Sequence, residues 1–323
     1  MIFCRQTRFQ TACSVTIPLS HLQIAVMPSS HLPRILITGG SGQVGHCLKA
    51  QLEGYAELSV PDSSALNIAD RRSVWRAVEA FRPDYIINAA AYTAVDKAES
   101  DAGRAFAVNR DGARHLAESA EAAGAVMLHI STDYVFDGAG GAPYDEAAPT
   151  APQNIYGASK LAGEQAVLAA CRRAVVMRAS WVFGAYGQNF VKTMLRLGRE
   201  RDSLGIVADQ YGAPTAAADI AAALITIVRR HTPGQLAERA GIYHYCGSPY
   251  ASWFEFAETI FAEAAAQGVL AKIPAVKPIV TADYPTPAKR PADSRLDCGK
   301  IRAVFGIGPC DWHSALSDLQ PYL

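Results

Sequence analysis

Two residues of this chain, Tyr156 and Lys160, stand four apart in the run YGASKLAGE (156–164), whose composition predicts a helix. That spacing sets both side chains on one helical face, a single turn apart. A cation beside a phenol favours the phenolate and lowers its pKa from ~10, which brings proton exchange toward neutrality. Carbonyl reduction needs such a group: as hydride reaches carbon, charge builds on oxygen and a positioned acid quenches it. Taken alone the spacing is common, and a solvated helix face is the ordinary reading. It gains weight because a glycine turn, then Ser131-Thr132, then Tyr156 and Lys160 follow one another along the chain. Thr132 is expected to hydrogen-bond the substrate oxygen; the bland alternative is a turn or cap hydroxyl.

The glycine turn is Gly39-Gly40-Ser41-Gly42-Gln43-Val44-Gly45, directly after the apolar run RILIT. Glycines let a backbone turn sharply and approach a pyrophosphate, whose charge the following helix N-terminus favours. A lone glycine pattern is weak, but this one stands at the strand-to-helix junction that such a site requires. Asp62 lies near the ~20-residue offset at which a carboxylate meets the adenosine ribose. It favours NADH, while Ser63 and Ser64 leave room for the 2′-phosphate of NADPH; an ordinary turn aspartate is the competing reading. The alanines of Asn88-Ala89-Ala90-Ala91 suit either a dinucleotide lying across a sheet edge or tight helix packing.

The elements that must position these residues read as an α/β fold. Short apolar runs predict strands at 34–38, 56–60, 85–88, 125–130 and 174–178, with helices over 43–53, 71–81, 102–123 and 154–170. Alternation of this kind is the signature of a doubly wound parallel, Rossmann-type sheet. Past residue 180 it breaks down, as proline and glycine become denser in GAPT (212–215), GSP (247–249) and YPTPAKRP (284–291). The expected division is an N-terminal extension over 1–33, a dinucleotide-binding domain over 34–180 and a mainly substrate-binding lobe over 181–323. A further helix at 216–230 could pack on the main sheet, so the last two parts should interleave.

Thirty basic residues balance thirty acidic ones, which speaks against nucleic acid or an anionic membrane as partner. No apolar run approaches the ~20 residues of a membrane span. The seven scattered cysteines contain no C-x-x-C pair and read as reduced thiols of a cytoplasmic protein. No metal site is expected. Residues 1–32 carry Arg5 and Arg8 and no acid, a weak likeness to a transit peptide; Met27 offers an alternative start, and deletion of 1–26 is expected to be tolerated.

At GGSGQVG (39–45), PDYIINAAAYTAVDKAES (83–100), STDYVFDG (131–138), YGASKLAGE (156–164), RASWVFG (178–184), DQYGAPT (209–215) and RPADSRLD (290–297) the sequence resembles the extended short-chain dehydrogenases, specifically the dTDP-4-dehydrorhamnose reductases. The likeness runs from residue 34 to 323. It implies NADPH- or NADH-dependent reduction of a dTDP-linked 4-keto-deoxysugar at C4, with Thr132, Tyr156 and Lys160 catalytic. It also implies dinucleotide contacts from Gly39, Gly42, Gln43, Val44, Gly45, Asp62, Asn67, Ala91, Tyr92, Thr93 and Lys160, and sugar contacts from Thr132, Asp133 and Trp181. An indole offers a flat apolar face and one N–H donor to a deoxysugar. Two positions depart from the family pattern: Asn67 stands where an aspartate is usual, and Tyr92 where histidine is common.

Other readings stay open at this point. Related nucleotide-sugar dehydratases place an Asp-Glu pair after the fourth-strand threonine, and Asp133-Tyr134 here argues against elimination. A reductase or epimerase for another nucleotide-linked keto-sugar fits the same residues, and so does a non-catalytic regulatory subunit of this fold. A homodimer is compatible with the sequence, which carries nothing that fixes the oligomeric state.

Overall fold

Strand β1, Arg34–Thr38, serves two cores at once. Side chains alternate across a strand, so Ile35 and Ile37 enter one apolar layer while Leu36 enters the opposite one. The first layer lies beneath helix α1 (Gln43–Leu52) and the helix Ala217–Arg230. The second lies beneath α2 (Arg71–Phe81) and the helices Ala113–Ala123 and Ile155–Ala170. A strand buried on both faces in this way belongs to a parallel sheet with helices on each side. The structure is a computed structural model and describes residues 32–323. The N-terminal extension, with its alternative start at Met27, lies almost wholly outside the described residues.

Strands β2 (Glu57–Ser59), β3 (Tyr85–Asn88), β4 (Val126–Thr132) and β5 (Ala174–Ala179) join β1 at the predicted places, within a residue or two. A sixth strand, Gly241–His244, comes from far beyond residue 180 and pairs with β5. Across the sheet the order is Gly241–His244, β5, β4, β3, β1, β2, with every pair parallel. The connections leave β1 in one direction and reach β3 in the other. The crevice at the carboxyl ends of β1 and β3 is therefore the topological switch point, where such sheets bind ligands.

Local chemistry explains the helix ends. The Asp70 carboxylate caps α2 by accepting from the Arg72 amide at 2.9 Å, and Asn154 caps the helix Ile155–Ala170 by accepting from Gly157 at 2.8 Å. The helix predicted over 102–123 is not uniform. Between Ala102–Phe106 and Ala113–Ala123 runs a π-helical stretch, Ala107–Gly112. Its wider turn holds Asn109 buried, where the amide accepts from Tyr92 N and donates to Tyr92 O and Ser159 Oγ. Side-chain bonding of this kind lies outside what helix propensity encodes.

Beyond β5 a third core forms from Phe183, Met194, Leu195, Phe256, Phe261 and Trp312, sandwiched between the helices Phe190–Glu200 and Trp253–Ala266 and the end of the chain. Residues Pro33–Leu323 form one compact unit. Among the described residues no helix is long and apolar enough to cross a membrane.

Candidate active site

Backbone geometry at the switch point comes first. Gly39 has φ +74°, and a Cβ there would stand 2.5 Å from the carbonyl carbon of Ala89. A Cβ on Gly45 would stand 2.1 Å from the Gly39 oxygen, so α1 can press against the turn only if that position is glycine. Helix α1 starts just after Gly42, its N-cap, with no side-chain cap and no acid in its first turn. Its free amides and positive dipole end are left for an anion. Together these features fit the pyrophosphate of a dinucleotide.

In front of the turn opens a cavity of about 940 Å³. Gly39, Gly42, Gln43, Val44, Asp62, Asn67, Ala91, Thr93, Thr132, Asp133, Tyr156, Lys160 and Trp181 all line it. Residues spread over more than 140 positions of sequence thus share one wall. Two of the expected contacts sit elsewhere. Gly45 packs behind the turn, and the Tyr92 side chain turns away from the cavity to donate from its hydroxyl to Asp101 at 3.2 Å.

Asp62 lies at the cavity edge, exposed, and one of its oxygens is occupied locally. Oδ1 accepts from Ser64 N at 2.9 Å, Ser64 Oγ at 2.6 Å and Ala65 N at 2.9 Å, which holds the carboxyl below the usual aspartate range. Asn67 does similar local duty by accepting from Ala69 N. The turn-forming reading of Asp62 is realised, and its Oδ2 is the oxygen not engaged by Ser64 or Ala65.

At the far end of the cavity, β4 delivers Thr132 and Asp133 while the helix Ile155–Ala170 delivers Tyr156 and Lys160. The Thr132 hydroxyl donates to Asp133 Oδ1 at 2.9 Å and accepts from the Tyr134 amide at 3.2 Å. Lys160 is buried, and its Nζ donates to the Ile130 carbonyl at 2.7 Å. Burial pushes that ammonium down to about 8, opposed by Glu164 one turn along. For the phenol, the direction is the reverse of the one expected from a neighbouring cation. Burial pushes Tyr156 up to about 12, with the neighbouring Thr132 hydroxyl pulling the other way and the Asp133 charge adding to the rise. The cation is engaged with Ile130, and desolvation of the phenol dominates.

Asp133 is 2% exposed, and burial pushes it up to about 6 against the pull of the Ser294 and Thr132 hydroxyls. Its Oδ2 has no hydrogen-bond partner, nor has the Ser131 hydroxyl beside it. Unpaired polar atoms buried at a cavity wall are costly unless a ligand completes them. Trp181 has the unusual φ of +45° and lies parallel to Trp253, with ring centroids 3.6 Å apart.

Sequence reasoning passed over Arg104, Gln188 and Trp253, which also line the cavity. It also missed His129, which is buried behind the site, bonded to Asn88 at 2.9 Å and held neutral by desolvation and by Lys160. Arg104 falls within the helix expected over 102–123, and Trp253 in a stretch for which no element is expected. Neither position carries a spacing signal.

A family model described as the RmlD substrate binding domain matches residues 33–321. A dTDP-4-dehydrorhamnose reductase of Aggregatibacter actinomycetemcomitans is 47% identical over 293 residues, covering 90% of this chain and 99% of the relative. The chain belongs to the dTDP-4-dehydrorhamnose reductase family. Another reductase of that name, from Sinorhizobium fredii, is 46% identical and covers 87% of this chain and 95% of its own length. Among solved structures, a dTDP-4-dehydrorhamnose reductase from Bacillus anthracis in complex with NADP superposes with a TM-score of 0.81 at 38% identity. That match covers 88% of this chain and 97% of the other. Family membership makes the chain an oxidoreductase of the extended short-chain type, as the motif order implied.

Proposed function

We propose that this chain reduces the C4 keto group of dTDP-4-dehydro-L-rhamnose to give dTDP-L-rhamnose, with NADPH or NADH as hydride donor. The observation that carries the reading is the convergence of Thr132, Asp133, Tyr156 and Lys160 on the cavity that the glycine turn opens into. The cofactor, when bound, supplies the hydride; everything else is work for the side chains.

Gly39, Gly42 and the first turn of α1 hold the pyrophosphate, and Asp62 meets the adenosine ribose. Thr132 and Tyr156 address the C4 oxygen, where negative charge develops. A phenol with its pKa near 12 is fully protonated at neutral pH, which is the state a proton donor must be in. As that oxygen gains charge, the phenol proton moves to it, and the phenolate left behind is stabilised by the Thr132 hydroxyl and the nearby ammonium of Lys160. The unpaired Oδ2 of Asp133 receives a sugar hydroxyl, and the Trp181 ring presents an apolar face to the deoxysugar.

Elimination chemistry has no second acid here. The residue after Asp133 is Tyr134, half-buried edge-on against Tyr156 with ring centroids 5.6 Å apart, and among the described residues Asp62 and Asp133 are the only carboxylates on the cavity wall. The test is NADPH and NADH oxidation by the purified chain, supplied with a panel of nucleotide-linked 4-keto sugars. Turnover with the dTDP-linked 6-deoxy-4-keto sugar is expected; binding of the dinucleotide without turnover of any keto-sugar would favour a regulatory role.

A further inference from the structure

Outside the residues just assigned to the chemistry, two thiols separated by 52 residues are in contact. Cys246 Sγ and Cys298 Sγ are 3.5 Å apart, and the Cys246 amide donates to Cys298 Sγ at 3.3 Å. Cys246 follows the sixth strand of the sheet and is 1% exposed, while Cys298 stands at the start of the helix Gly299–Phe305 and is partly exposed. Packing as two small hydrophobes would account for the burial of Cys246. It does not account for sulfur facing sulfur, nor for the thiols being inequivalent. The Cys246 thiol also lies 3.4 Å from the Leu296 carbonyl, and either sulfur can donate to the other. Hydrogen bonding from the Cys246 thiol and amide lowers the Cys298 pKa against burial, Asp297 and Glu146, while the Cys246 pKa is raised. The accessible sulfur is thus the more easily ionised one, and the protected sulfur lies within reach to resolve it.

We propose that Cys246 and Cys298 form a reversible oxidation site, closing to an intrachain disulfide when the protein meets a peroxide. Cys298 thiolate attacks the peroxide: an S–O bond forms, the O–O bond breaks, and the departing hydroxide takes up a proton as water. Cys246 sulfur then attacks the Cys298 sulfenic acid. An S–S bond forms, the S–O bond breaks, and the released hydroxide leaves with the Cys246 proton as a second water. Two thiols lose two electrons together, and one peroxide becomes two waters.

The position gives the bond a structural consequence. The segment leading into Cys298 forms part of the wall behind the site: Asp293 N bonds Gly138 O, Ser294 N bonds Tyr211 O, and Asp297 N bonds Tyr144 O. Ser294 in turn lies beside Asp133. Closure would tie this wall covalently to the end of the sixth strand. Bringing the sulfurs from 3.5 Å to the ~2.05 Å of a disulfide is a small displacement, so the site should keep its shape.

The experiment treats the full chain with hydrogen peroxide, alkylates free thiols, and maps peptides by mass before and after dithiothreitol. A Cys246–Cys298 cross-linked pair, lighter by two hydrogens and opened by the reductant, is expected. The oxidised protein should also melt at a higher temperature than the reduced one, because the bond closes a long loop in the unfolded chain. In Cys246→Ser, the sulfenic acid on Cys298 should persist and be trapped by dimedone; in Cys298→Ser, Cys246 should stay open to alkylation after unfolding. Turnover of reduced variants serves as the check on folding, and if neither variant folds the wild-type peptide map decides alone. The proposal is overturned if peroxide leaves both thiols free, if Cys298 pairs with Cys310 instead, or if Cys298 passes directly to sulfinic acid.

Discussion

The Lys160 ammonium donates to the Ile130 carbonyl at 2.7 Å, tying the helix that carries the phenol to the strand that carries the threonine. This one bond locks two elements of the site to each other. The pKa of Tyr156 is set chiefly by its own desolvation.

Burial holds Lys160 near 8, so its charge is present below that pH and lost above it. Reduction with saturating cofactor should fall as pH rises through about 8, while the phenol, near 12, stays protonated throughout. A pH profile of the single-turnover rate checks this; a rate that holds constant to pH 10 would contradict a role for the ammonium.

Tyr156→Phe keeps the ring and deletes the acid. A positioned general acid contributes about 10²- to 10⁴-fold, and the keto-sugar reduction rate should drop by that factor. Dinucleotide affinity, measured by direct titration, should barely change. Lys160→Met should lose both together. Turnover of Tyr156→Phe within a few-fold of wild type would falsify the assignment of the proton donor.

Asp133→Asn should raise stability at neutral pH and weaken substrate binding. The folded-state pKa near 6 lies above the ordinary 3.8, so the folded protein binds the proton more tightly than the unfolded chain. Stability from this group therefore rises as pH falls from 6 toward 3.8, and the penalty for the buried carboxylate is complete above 6. Two pKa units correspond to about 3 kcal/mol, so the asparagine variant should gain up to that order at pH 8 and nothing near pH 4. Urea unfolding at the two pH values measures it, with the KM for the keto-sugar recorded alongside.

Glu164→Gln breaks an ion pair between side chains that are 1% and 2% exposed, bonded to Arg178 at 2.6 and 2.9 Å. The guanidinium left behind has His244 at 3.4 Å and the Phe136 ring face at 5.1 Å, neither of which replaces a carboxylate. Removing one partner of a buried pair costs about 3–5 kcal/mol. A denaturant midpoint unchanged from wild type would show that water or His244 compensates.

Gly45→Ala places a methyl group against the Gly39 oxygen, where the gap to a Cβ is only 2.1 Å. Helix α1 must then withdraw from the turn, and the amides aimed at the pyrophosphate move with it. Dinucleotide affinity should fall at least tenfold, read by fluorescence titration, while far-UV circular dichroism stays close to wild type because the sheet core is untouched.

Much of the scaffold is written locally. The run RILIT followed by glycines, the four-residue spacing of Tyr156 and Lys160 and the serine-threonine pair at 131–132 depend on period, propensity and turn chemistry, which act over a few residues. For that reason the strands and the main helices fall within a residue or two of the predicted places. Family likeness in segments such as STDYVFDG extended the reading to the reaction. What no local pattern encodes is the pairing of Gly241–His244 with β5, or Trp253 lying flat on Trp181 from a helix over 70 residues away. The same holds for the π turn at Asn109, whose amide bonds Ser159 fifty positions on. The sign of the shift at Tyr156 was decided in the same way. Sequence shows the cation one turn from the phenol, but desolvation depends on everything packed around both, and Lys160 found its partner on strand β4. Tyr92 and Asp62 teach the complementary lesson, since each spent hydrogen-bonding capacity on neighbours, Asp101 in one case and the Ser64-Ala65 turn in the other. Period and propensity act over a few residues and so name the elements; burial and partnership are collective, and only the folded chain assigns them.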